Sequence, residues 1–145
     1  MLIEKPAIDA LLPHAGAMCL LDGVVDWDAS SIQCTTRSHC RPDNPLRCQQ
    51  GLSALHGVEY GAQAMAIHGA LLQQADIGPD ASGYLASIRD LTLEVDWLHD
   101  VDGPLLVSAR LEVDDGRYLV HRFRIEAGSG LLLSGRAMVF RGSSG

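Results

Sequence analysis

Leu55-His56-Gly57-Val58-Glu59-Tyr60-Gly61-Ala62-Gln63-Ala64-Met65-Ala66-Ile67-His68 is a run of small and apolar residues holding one acid, Glu59. It is long enough for about four helical turns at ~3.6 residues per turn. Ser53, just ahead of it, can cap the exposed N–H groups of a first turn. Asp76-Ile77-Gly78-Pro79 offers Gly and then Pro, the order that stops a helix. The pattern predicts one long helix from Ser53 to about Ala75. That helix is apolar nearly all round, so a single sheet covers only one side of it. The other side is expected to meet a second subunit or capping loops. An ionised, unpaired acid in such surroundings costs several kcal/mol. Glu59 is therefore expected either to have a partner or to be kept neutral by burial and to handle protons.

The segments around this helix read mostly as strands. Residues 7–12 form a short helix stopped by Pro13. Residues 18–27 read as a buried strand and residues 32–37 as a second, joined by a turn rich in Asp and Ser. Residues 41–50, with Pro42, Asp43, Asn44 and Pro45, read as a loop. After residue 83 the period changes to two. Strands are expected at 84–97, 105–113, 118–125 and 131–140, each with one face buried. Residues 142–145 read as a disordered tail. The outcome is one α+β domain over residues 1–145, an antiparallel sheet of about five to six strands wrapped round one long central helix.

Composition excludes several functions. The chain has 145 residues, 47% of them hydrophobic and 20% charged, with a formal net charge of −7. Lys5 is the only lysine and no Lys/Arg cluster occurs, which argues against nucleic-acid binding. Cys19, Cys34, Cys40 and Cys48 lack zinc-ligand spacing and read as free thiols in a reducing compartment, so no metal is expected. The first residues carry no basic start followed by an apolar core, and no apolar run reaches the ~18 residues of a membrane span. A cytoplasmic protein is the expectation.

Three blocks resemble a known family. Leu12-Pro13-His14-Ala15-Gly16-Ala17-Met18-Cys19-Leu20-Leu21-Asp22-Gly23-Val24 is similar to the opening of the hot-dog-fold 3-hydroxyacyl-[acyl-carrier-protein] dehydratases, where Leu-Pro-His precedes an apolar run and Asp-Arg-Val. Val58-Glu59 through Gln63 resembles that family's central helix. Tyr84-Leu85-Ala86-Ser87-Ile88 resembles its Tyr-Leu-Ala-Gly-Ile strand. Gly57-Val58-Glu59-Tyr60 with Gln63-Ala64-Met65-Ala66 looks closest to the subgroup found in aryl-polyene pigment pathways. Two features depart from the pattern. The family's histidine in Gly-His-Phe-Pro would fall at Pro45, fourteen residues before Glu59, and the nearest histidine, His39, lies twenty before it. Ser53-Ala54 replaces the family's Pro-Gly at the helix start.

The resemblance implies dehydration of a 3-hydroxyacyl thioester to its trans-2-enoyl form. The substrate rides on the phosphopantetheine of an acyl carrier protein, and no other cofactor is implied. A base removes the C2 proton and an acid protonates the departing 3-hydroxyl. Histidine suits the first task and a sheltered carboxyl the second. Glu59 is the expected acid, with a structural ion-paired carboxylate as the alternative. His39 and His14 are the candidate bases. The alternatives are a solvated loop histidine for His39, and for His14 a turn cap or tunnel wall. His56, Gly57 and Gln63 are the expected substrate-binding residues. His56 and Gln63 share the Glu59 side of the helix, and Gly57 belongs to a first turn whose N–H groups could hold the thioester oxygen. His68 falls on the opposite side and reads as structural, and His99 and His121 read as surface residues. Arg37, Arg41 and Arg47 could attract the carrier. A homodimer is one expectation. Two rival readings are a non-catalytic subunit in a heterodimer with an active hot-dog dehydratase, and an acyl thioesterase.

Overall fold

The computed structural model describes residues 2–11, 19–72 and 83–141. Strand β1 (Ile3–Glu4) runs into helix α1 (Lys5–Leu11), followed by β2 (Gly23–Trp27) and β3 (Ser31–Thr36). Helix α2 (Gly57–Leu72) comes next, then β4 (Gly83–Leu93), β5 (Leu105–Asp114), β6 (Tyr118–Ala127) and β7 (Gly130–Arg141). These strands make one seven-stranded sheet in the order β1-β2-β3-β5-β6-β7-β4. Every pairing is antiparallel. The arrangement is the expected α+β hot-dog fold, with one strand more than the sequence indicated. The addition is β1, two residues paired as Ile3↔Val24 and Glu4↔Gly23, too short for a period of two to register.

Three element boundaries differ from expectation for identifiable reasons. The strand expected from residue 18 starts only at Gly23. Ahead of it, the Lys5 ammonium takes the carbonyls of Cys19 and Leu21, and side chains take both backbone groups of Leu20. The strand expected to reach Trp97 stops at Leu93, after a break in register between Arg89 and Thr92 where Asp90 adopts φ 56°. The helix does not begin at Ser53. A 3₁₀ turn, Ala54–His56, comes first, and Ser53 Oγ accepts the Leu55 N–H at 3.3 Å. His14, the helix end expected near Ala75 and the 142–145 tail lie outside the described residues.

Helix α2 lies across the inner face of the sheet, burying Tyr60, Gly61, Ala64, Met65, Ile67 and Leu71. Two glycines set how closely it approaches. A Cβ at Gly57 would stand 2.6 Å from the Leu133 methyls, and one at Gly61 would stand 2.7 Å from the Phe123 ring. Val58, Glu59, Ala62, Ala66 and Ala70, on the side away from the sheet, are only half-buried. Among the described residues the sheet thus covers one side of the helix.

The far end of α2 holds a buried histidine pair. His68 Nε2 lies 2.8 Å from the Asp28 carbonyl, which can only accept, so this nitrogen carries the proton. His68 Nδ1 is then the acceptor for the His121 Nε2–H at 2.9 Å. His68 is structural in this sense. His121 is not a surface residue as expected: it lies on the inner face of β6 and is fully buried, with no partner for Nδ1. Burial pushes His68 below the usual histidine range and His121 down to about 3. The four cysteines are free, and burial raises Cys19 to about 11 and Cys34 to about 12. Among the described residues no His/Cys/Asp/Glu group could hold a metal, and no helix is long and apolar enough to cross a membrane.

Two predictions follow from this packing. Gly61→Ala gains up to about 1 kcal/mol of helix propensity but drives a methyl into the buried Phe123 ring, at a cost of about 1–3 kcal/mol. The expected net effect is a lower urea midpoint; a higher midpoint refutes the close-packing account. The second concerns pH. The folded chain keeps His68 and His121 neutral, whereas the unfolded histidines take up protons near ~6.5. From there down to about 3, the folded pKa of His121, the unfolded state binds more protons. Stability is therefore unaffected by this pair above pH 7 and falls as pH drops, by at most about 1.4 kcal/mol per pH unit per histidine. Urea titrations at pH 7.5 and 5.0 should show this loss, and His121→Phe should reduce it. An equal loss in the variant would refute the assignment.

Candidate active site

Glu59 sits in the first turn of α2, half-buried on the side the sheet leaves uncovered. One hydrogen bond orients it. Gln63, one turn on, donates from Nε2 to Glu59 Oε1 at 3.2 Å. The Gln63 amide cannot be reversed, because its Oε1 accepts the Leu20 N–H at 2.8 Å and a backbone N–H can only donate. Among the described residues Glu59 Oε2 takes no hydrogen bond.

The other backbone group of Leu20 carries the contacts further from Glu59. Its carbonyl accepts from Thr36 Oγ1 and from Ser38 Oγ, the latter at 2.7 Å. Ser38 has one proton and uses it there, so it accepts from the Tyr60 hydroxyl at 2.9 Å. Tyr60 in turn accepts from Asn44 Nδ2 at 3.0 Å. Asn44 also holds the Ser38 carbonyl at 2.9 Å, and its Oδ1 accepts the Leu46 N–H at 2.9 Å. The donors therefore run in one direction in two stretches that meet at Leu20: Asn44 to Tyr60 to Ser38 to the Leu20 carbonyl, and the Leu20 N–H to Gln63 to Glu59. Within each stretch the aligned bonds polarise one another in a dry interior. Tyr60 is fully buried, and burial raises its phenol above the usual range, so it serves as a neutral donor. Asn44, Ser38 and Tyr60 were not picked out from the sequence. Tyr60 beside the only acid of the helix, and Asn44 before Pro45, were the available signals.

The other candidates fare differently. His39 lies in the 3₁₀ turn Ser38–Cys40 and is sealed from solvent; it is not a solvated loop residue. Its Nε2–H donates to the Val101 carbonyl at 3.0 Å, with Cys40 Sγ 3.2 Å from the same nitrogen. Nδ1 has no partner, and burial keeps the ring below the usual histidine range, hence neutral. The ring is thus in a base's electronic state but has no contact with Glu59. His56 is half-buried in the turn before α2 and makes no side-chain hydrogen bond among the described residues, so the possible pairing with Glu59 is not formed. Gly57 packs against Leu133 and Ile125 and is better described as a close-approach residue than as a ligand contact. The first-turn amides expected to hold an oxyanion are already engaged. Leu55 N–H goes to Ser53 Oγ, His56 N–H to the Ser53 carbonyl, and Gly57 N–H to Ala54. Of the five candidates among the described residues, then, the structure joins Glu59 and Gln63. His99 is half-buried and accepts the Leu52 N–H at 3.0 Å through Nδ1. Arg41 pairs with Asp43 at 3.3 Å, and Arg37 is exposed.

Comparison with known proteins agrees with this fold. Among solved structures, the dehydratase heterocomplex ApeI:P from Xenorhabdus doucetiae superposes with a TM-score of 0.83 at 21% identity, covering 94% of this chain and 91% of that one. A thioesterase from Haemophilus influenzae matches with a TM-score of 0.57 at 15% identity, covering 97% and 94%. A hypothetical thioesterase from Streptococcus pneumoniae, solved with coenzyme A, matches at 0.59 and 11% identity, covering 84% and 87%. No curated protein matches by sequence. The model of the ApeP-like family, described as ApeP dehydratase, matches residues 6–144, nearly the whole sequence. The chain therefore belongs to the ApeP-like dehydratase family.

Proposed function

We propose that this chain dehydrates 3-hydroxyacyl thioesters carried on acyl carrier protein to the trans-2-enoyl form, in an aryl-polyene type of synthesis, as one of two hot-dog subunits. Glu59 acts as the acid. The observation that carries this reading is the one-directional chain of donors ending on Glu59 Oε1. With Oε1 fixed as an acceptor, Oε2 is the oxygen that can carry a proton outward to a leaving hydroxyl. An acyl chain settling over the half-buried carboxyl expels the water that now reaches it, and a dry site strengthens that hydrogen bond.

The base comes from the partner subunit. Among the described residues, which do not include His14, no histidine hydrogen-bonds Glu59, and His39 is closed off with its Nε2–H committed to Val101. Two observations support a second subunit: the half-buried apolar side of α2 that carries Glu59, and the likeness to a dehydratase described as a heterocomplex. A partner laid on that side of α2 would bring its own residues to the Glu59 carboxyl and complete the acid–base pair.

The test is conversion of a 3-hydroxyacyl carrier substrate by the chain alone and by the chain purified with a second hot-dog subunit. The pair is expected to be active and the lone chain inert. Glu59→Gln in the pair should lower kcat/KM by about 10²–10⁴, and His39→Gln should leave it within a few-fold. Loss of activity in His39→Gln with the fold intact would move the base onto this chain. Release of free thiol without enoyl product would favour thioester hydrolysis instead. Gln63→Leu bares the Leu20 N–H, at a cost of about 1–3 kcal/mol of stability, and frees Glu59 to rotate. It should lower kcat more than it raises KM; unchanged kcat would defeat the positioning role of Gln63.

A further inference from the structure

The outer face of the sheet, turned away from α2, carries a row of arginines that the dehydration does not use. The registers Arg110↔Arg122, Arg122↔Arg136 and Arg89↔Arg136 put four of them directly opposite one another across β5, β6, β7 and β4. Arg124 lies one step along β6 in the next row, between Ser108 and Ser134. Five of the chain's 11 cationic residues thus share one face of a protein with a net charge of −7. Like charges directly opposite on neighbouring strands are destabilising, so this row lowers the stability of the free sheet. The acids nearby offset only its middle. Glu112 bridges Arg136 at 2.8 Å and Arg122 at 3.7 Å, and Asp90 meets Arg136 at 3.4 Å. Arg124 pairs with Glu126 at 3.0 Å. The end members, Arg89 and Arg110, are exposed and form no ion pair among the described residues.

An apolar row runs beside the arginines. Val113↔Val120 and Val120↔Met138 are in register, with Val113 42% exposed. Tyr118 and Phe140 follow, ring against ring at 6.2 Å, with Phe140 45% exposed. A cationic row alongside an apolar row is complementary to an element that is acidic on one side and apolar on the other. Four strands at ~4.8 Å spacing make the arginine row roughly 14 Å long, the length of a helix of about ten residues at 1.5 Å per residue. Carboxylates one helical turn apart, about 5–6 Å, match the strand spacing.

We propose that this outer sheet face docks an acidic amphipathic helix of a protein partner, lying along the arginine row and across the strands. A nucleic acid fits less well, because Glu112, Asp90 and Glu126 stand among the arginines and the chain is acidic overall. A second copy meeting the same face about a two-fold axis would set one arginine row against another. The docking is independent of the dehydratase reading, since it uses the opposite side of the sheet.

The test uses the intact chain and a dye-labelled helical peptide with Glu at i and i+4 and Leu on the adjacent side, followed by fluorescence anisotropy. Binding is expected at low salt and should weaken about tenfold from 50 to 300 mM NaCl. A version with Lys in place of Glu should not bind. The double change Arg89→Glu and Arg110→Glu should weaken binding at least about tenfold with a thermal midpoint no lower than that of the unchanged chain. If that variant does not fold, Arg89→Gln with Arg110→Gln makes the same comparison. No binding at 1 mM peptide, or binding that the arginine changes leave intact, would overturn the proposal. So would heparin or duplex DNA binding the same arginines more tightly than the peptide does.

Discussion

One residue, Leu20, ties the site to the scaffold through both of its backbone groups. Its N–H reaches Gln63 on α2, and its carbonyl is held by Thr36 at the end of β3 and by Ser38 just beyond. A strand would have spent these two groups on a neighbouring strand. Here they are spent on side chains, so the backbone leaves the sheet before β2 begins. The local loss of regular structure allows a helix, a strand end and a loop to converge on one point. Removing any single member leaves a buried donor or acceptor bare, at about 1–3 kcal/mol each. That penalty gives the group a single arrangement and fixes where the Glu59 carboxyl points.

The second constraint is depth. Gly57 and Gly61 bring α2 so close to Leu133 and Phe123 that a methyl at either position would overlap them. Glycine inside a helix costs up to about 1 kcal/mol relative to alanine. The chain accepts that cost twice within two turns, both times in the stretch that carries Glu59. The close approach lowers the start of the helix onto the sheet, where Tyr60 can reach Ser38 and Asn44. Packing and polar contacts thus act on the same turn, one setting height and the other orientation.

Much of the fold was legible in the sequence, for physical reasons. A long uncharged run of small residues has few stable places besides the middle of a sheet-wrapped core, and β5, β6 and β7 each declared a buried face by alternation. Glu59 was legible because an acid in that run needs an explanation, and Gln63 because it lies one turn away. What stayed hidden depended on pairing across long separations. His121 looked like a surface residue between Val120 and Arg122, and only its register with Leu111 and Ala137 shows that it points inward. His39 and Val101 are 62 residues apart, and no local pattern announces a carbonyl waiting for an imidazole. The first-turn amides were misjudged because capping by Ser53 tightens the turn into a 3₁₀ form that consumes them.

Helix α2 therefore has two polar ends with opposite properties. At His68 and His121 the imidazoles are sealed, bonded to each other and to a carbonyl, and kept neutral, so they exchange no protons at ordinary pH. At Glu59 the polar chain ends on a carboxyl that is half open, with one oxygen fixed and the other unbonded among the described residues. Between them runs the side of the helix formed by Ala62, Ala66 and Ala70, too small and too exposed to close on its own. Small residues let another backbone approach closely. A subunit seated there would gain apolar burial at about 25 cal/mol per Å² and would shut the open end of the helix around Glu59. Covering that side and enclosing the Glu59 carboxyl would then be one event.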